Sequence, residues 1–77
     1  MTIYSHVYII TRRHGCELEI LDNAHRRLEF ARKELADMED AARKDGSRCM
    51  HTQAGCCLRV QKGDDVTYYE IIKRELQ

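Results

Sequence analysis

Tryptophan and proline are missing from this chain, phenylalanine occurs once and glycine only four times. With so few chain breakers, no stretch reads as an interdomain linker, a low-complexity tract or a phosphate-cradling glycine loop. A charge excess is missing too: 13 Lys and Arg balance 13 Asp and Glu, so the chain lacks both the basic field of a typical nucleic-acid binder and the acidic field of a DNA mimic. Long apolar runs are equally scarce. Near the N-terminus the longest is Val7-Tyr8-Ile9-Ile10, far short of a signal-peptide core or a membrane span of about 20 residues, and the expectation is a cytosolic protein without a membrane partner. In a reducing compartment Cys16, Cys49, Cys56 and Cys57 stay free thiols and serve first as small apolar residues.

What is present is enough for one small core. The 77 residues form a single domain, 1–77, and 43% hydrophobic with 34% charged residues is the balance of a globular chain rather than a disordered one. From Tyr4 to Arg13, β-branched and aromatic residues crowd as strand formers do, with apolar residues on both faces, which points to an interior strand. His14-Gly15 suits a tight hairpin turn, and Cys16 to Ile20 then alternates, with Cys16, Leu18 and Ile20 expected in the core and Glu17 and Glu19 outside.

From Asp22 or Asn23 to about Lys44 the period becomes helical, on a stripe of Leu21, Ala24, Leu28, Ala31, Leu35, Met38 and Ala42. Asp22 or Asn23 is the expected N-cap, and Arg43, Lys44 and Gly46 form a basic last turn with a glycine stop. The pairs Glu29–Lys33, Glu39–Arg43 and Asp40–Lys44 describe a solvated outer face. Asp45 to Gly55 reads as a loop, followed by strands over Cys56–Gln61 and Val66 to about Glu75, joined at Gly63. The expected fold class is α+β with the order ββαββ: a four-stranded, mainly antiparallel sheet with one long helix packed on one face and the last strand beside the first.

One helix cannot cover both faces of such a sheet. The uncovered side is expected to carry some of Tyr4, His6, Tyr8, Ile10, Arg12, Tyr69 and Ile71, a mixture suited to contact with another protein or a second copy of the chain. Tyr4, His6, Tyr8, Arg12, Arg13 and Tyr69 are the candidate partner-binding residues, since tyrosine and arginine dominate binding hot spots. A metal site would draw on His14, Cys16, Cys49 and His51, but their spacing fits no common zinc module and no cofactor is expected. No motif sets His6, His14, His25 or His51 beside a nucleophile and a carboxylate, so the chain does not read as an enzyme. Arg12, Arg13, Arg26, Arg27, Arg32 and Lys33, with tyrosines on an open sheet, leave a nucleic-acid-binding regulator as an alternative, though carboxylates intersperse the helix charges.

The frame made by Val7-Tyr8-Ile9-Ile10-Thr11, His14 to Leu21, a charged helix and the closing Tyr68-Tyr69-Glu70-Ile71-Ile72 resembles small proteins of phages and bacterial mobile elements, over most of the chain except 45–55. Anti-CRISPR inhibitors are among proteins of that kind. The resemblance implies a compact, cofactor-free phage protein whose surface blocks a host defence complex such as a CRISPR effector, and it carries no catalytic residues.

Overall fold

A computed structural model of the chain describes residues 6–52 and 55–75. The elements run β1 (His6–His14), β2 (Glu17–His25), α1 (Leu28–Lys44), β3 (Arg48–Thr52), β4 (Cys57–Lys62) and β5 (Asp65–Glu75). They form one α+β unit, a five-stranded sheet in the order β2-β1-β5-β4-β3 with every pairing antiparallel. The expected ββαββ order is therefore corrected to ββαβββ. Within the stretch expected as a loop, Arg48–Thr52 pairs residue for residue with Cys57–Gln61, because β4 has a free edge whose backbone groups need partners.

Both interior positions are as the apolar patterning implies, with β5 at the centre and β1 beside it. The β1–β2 and β4–β5 hairpins turn on two residues each, Gly15-Cys16 and Gly63-Asp64. Gly15 and Gly63 have φ near +63° and +62°, the sign that hairpin turns matched to strand twist require at their first position.

The second strand is longer than its sequence suggests and the helix correspondingly shorter. Asp22 to His25 extend β2 instead of opening the helix, since β1 offers them a ladder in which Ala24 and His25 pair with Ile9 and Tyr8. The register shifts between Ile9 and Thr11, so β2 carries a bulge there. Helix α1 starts at Leu28 with Arg27 as its N-cap, which makes no side-chain capping bond. Its other end stops as expected on Gly46 at φ 90°: the Gly46 amide donates to the Arg43 carbonyl and the Ser47 amide to Ala42, the Schellman pattern.

Seventeen residues give a rod of about 25 Å that touches all five strands on one face. Ile10, Ala31, Leu35, Leu58 and Ile71 are buried between helix and sheet, with Tyr8, Leu21, Leu28, Met38, Cys49, Val60 and Tyr69 packed around them. The face assignment made from the sequence is thereby inverted. Tyr8, Ile10, Tyr69 and Ile71 belong to the helix-covered side, and Leu18 and Ile20, expected in the core, are 60% and 50% exposed.

Candidate binding face

Strand register decides what the other face carries. In β4, Leu58 points into the core, so Cys57, Arg59 and Gln61 point away from the helix. The two-residue turn at Gly63 pairs Leu58 with Tyr69 and Arg59 with Tyr68, which sends Tyr68, Glu70, Ile72 and Arg74 of β5 to the open side. Pairing Ile10 with Ile71 then sends Val7, Ile9, Thr11 and Arg13 of β1 the same way, and the β1–β2 register adds Leu18 and Ile20. At the far edge Cys49 faces the core, so Arg48 and Met50 face outward.

Among the described residues no element lies over this side. Leu18, Ile20, Met50 and Tyr68 are at least half exposed, and Val7, Ile9 and Ile72 are half-buried between their neighbours. A groove of about 410 Å³ runs across its middle, lined by Thr11, Arg13, Leu18, Tyr68, Glu70 and Ile72. Below the groove the Thr11 hydroxyl donates to the Glu70 carbonyl at 3.3 Å. One cross-strand row reads Met50, Arg59, Tyr68, Arg13 and Leu18, so apolar and cationic side chains alternate across the face, a mixture suited to a contact site.

The candidate residues chosen from the sequence divide unevenly over this geometry. Arg13 lies on the open face. Tyr8 and Tyr69 pack against the core on the opposite side, and His6 stacks edge-on against Tyr8 with ring centroids 5.2 Å apart. Arg12 is bound to Glu19 across the hairpin at 2.7 Å, with both groups about half exposed. Tyr4 lies outside the described residues. Tyr68, Ile72, Arg59 and Met50 lie on the open face and were not among the candidates chosen from the sequence. Their signal was the alternation of β4: Leu58 and Val60 inward, transmitted through a two-residue turn, fixes the parity of β5 and then of β1.

The metal candidates do not form one donor set. His14 and Cys16 end the β1–β2 hairpin, whereas Cys49 and His51 lie on β3, three strand spacings or about 14 Å from β1. Among the described residues no group of three or more His, Cys, Asp and Glu is arranged to hold a metal. His14 instead faces Asp65 at 3.8 Å, and His51 binds Glu39.

Glu39 is the centre of a second polar cluster and a correction to the helix reading. It was expected on the solvated face, yet it is buried, one turn beyond Leu35. Arg43 donates to its Oε2 through two nitrogens at 2.9 and 2.6 Å, and the His51 ring meets Oε1. Arg43 holds the Glu39 carboxyl below its ordinary range against the opposing effect of burial, with His51 assisting. The Cys49 thiol bonds the Glu39 backbone carbonyl at 3.8 Å, and burial pushes its pKa up, so it stays protonated. The cluster fastens the edge strand β3 to the helix.

At the other edge, His25 meets Glu34 at 2.5 Å and ties the end of β2 to the same helix. His25, read from the sequence as part of the first helical turn, thus belongs to the sheet.

No described helix is long and apolar enough to cross a membrane. Compared with protein families, with curated proteins and with solved structures, the chain matches none.

Proposed function

We propose that this chain is a non-enzymatic protein-binding module that works through the open face of its sheet. The observation that carries the reading is the row Leu18, Ile20, Met50 and Tyr68, apolar side chains left half or more exposed on one continuous surface while the helix occupies the other. At about 4.8 Å per strand and about 3.4 Å per residue, five strands sharing five to nine residues offer on the order of 600 Å², close to the 800 Å² or so that one partner contributes to a standard interface. The protonated, carbonyl-bonded Cys49 and the carboxylate locked between Arg43 and His51 support a structural rather than a catalytic use of the histidine and cysteine side chains.

Inhibition of a host defence complex in the bacterial cytoplasm, the role implied by the phage-protein resemblance, is the form of binding we favour, by steric cover of the target. The test is affinity capture from phage-infected bacterial lysate with the wild-type chain, with Tyr68→Ser plus Ile20→Ser on the open face, and with Phe30→Ser on the exposed helix side. Capture that the first variant abolishes and the second keeps supports the proposal. Capture unaffected by the open-face variant, or no capture at all, removes it.

A further inference from the structure

The open face is not electrically neutral although the chain is. Four arginines, Arg13, Arg48, Arg59 and Arg74, project from it, and among the residues whose side chains are described one carboxylate, Glu70, faces the same way. Among the described residues none of the four arginines has an ion-pair partner; elsewhere Arg12, Arg27 and Arg43 are each paired with a glutamate, while Arg32 on the helix reaches only the Cys56 thiol. Arginine left unpaired beside exposed aliphatic surface is poised for carboxylates brought by something else, because its planar fork binds them bidentately and sheds water more readily than an ammonium.

We infer that the partner of this face is an acidic surface or segment of another protein, its apolar side chains interspersed with aspartate or glutamate as the arginines are interspersed here; this rests on the open face being the docking site. A second copy is disfavoured by the same charges, since a two-fold contact would set one arginine array against its own image. A nucleic acid would find the charge but little to stack on. Apart from Tyr68 the surface is aliphatic, made by Val7, Ile9, Leu18, Ile20 and Ile72 together with Met50, and bases are held by aromatic rings. The groove between Arg13, Leu18, Tyr68 and Ile72 provides the seat for one apolar anchor of the partner.

The experiment uses synthetic amphipathic peptides with identical apolar residues and acidic, neutral or basic flanking residues, plus an oligothymidylate, titrated into the isotopically labelled chain and followed by amide NMR shifts. The expected result is binding of the acidic peptide in preference to the others, shifts centred on Arg13, Ile72, Tyr68 and Arg59, and an affinity that falls with added salt. Arg13→Glu plus Arg59→Glu should weaken it about tenfold or more, and the milder Arg13→Gln plus Arg74→Gln should weaken it less, with unchanged melting. Lys33→Glu on the helix is the control. Equal binding of all three peptides at the open face overturns the acidic-partner inference and leaves the docking reading standing. Shifts confined to other surfaces, or binding of none of the probes, overturn both. Preference for the oligonucleotide, or sedimentation as a dimer closed through the open face, likewise overturns the acidic-protein assignment.

Discussion

Removing one leucine from the helix–sheet core and one from the open face separates the two sides of the sheet energetically. Leu35 is fully buried on the inner side of the helix, packed onto Ile10, Leu58 and Ile71 of the sheet, and truncation to alanine leaves a cavity that the sheet below it cannot easily fill. Leucine-to-alanine changes at such sites cost about 3–5 kcal/mol, and at about 0.05–0.15 kcal/mol per residue the whole domain holds roughly 4–12 kcal/mol. Taking about 3 kcal/mol, and about 4–8 °C per kcal/mol for a domain of this size, Leu35→Ala should lower Tm by about 12–24 °C. Leu18→Ser, at a side chain 60% exposed, should stay within about 0.5 kcal/mol of the wild type, or about 4 °C. Thermal and urea unfolding followed by circular dichroism read both. A Leu18→Ser cost equal to that of Leu35→Ala would refute the assignment of faces, and a Tm that rises with protein concentration in the wild type but not in Leu18→Ser would show a second copy covering the open side.

Three further outcomes follow from local geometry. Glu39 has a lowered pKa in the folded chain, so between that value and its ordinary 4.5 the unfolded state binds more protons; the stability it contributes is complete above 4.5 and is lost as pH falls through the folded value. Glu39→Gln should therefore flatten the acid limb of a stability–pH profile in that window, and an unchanged limb would remove Glu39 as its source. Cys49, with its thiol pKa raised by burial, should be alkylated by iodoacetamide far more slowly at neutral pH than the exposed Cys16, as peptide mass spectrometry can follow; equal rates would contradict the packing of β3 against the helix. Gly63→Ala meets open space but forces a methyl onto a positive φ, so urea unfolding should show a loss of about 1–2 kcal/mol, and Gly63→Asn a smaller one.

The fold class was legible because its signals are local. Glycine at the two hairpins, the basic last turn with Gly46, and apolar β1 and β5 each follow from residue chemistry acting over a few positions. Three features were hidden for physical reasons. Asp22 and Asn23 look like helix caps, but the ladder offered by β1 outweighs a cap. Arg48–Thr52 has no strand periodicity of its own and becomes β-structure only because β4 presents an edge. The choice of face was nearly degenerate, since Tyr8 and Ile10 versus Val7 and Ile9, and Tyr69 and Ile71 versus Tyr68 and Ile72, are almost equally apolar. The helix settles on one set through Leu58 and Val60, and the arginines then fall on the other side. Arg13 alone among the sequence-chosen contacts shares that side among the described residues, which is why most of the candidate face had to come from strand register.

The bulge between Ile9 and Thr11 reaches beyond the β1–β2 hairpin. An outer strand of nine residues is a template on which copies of a chain could zip into filaments. Because the offset changes the backbone phase partway along β2, a neighbouring chain can match its amides and carbonyls over one half or the other, never along the full length. The irregularity thus shortens the rim on which another strand could pair while the greasy flank stays on display.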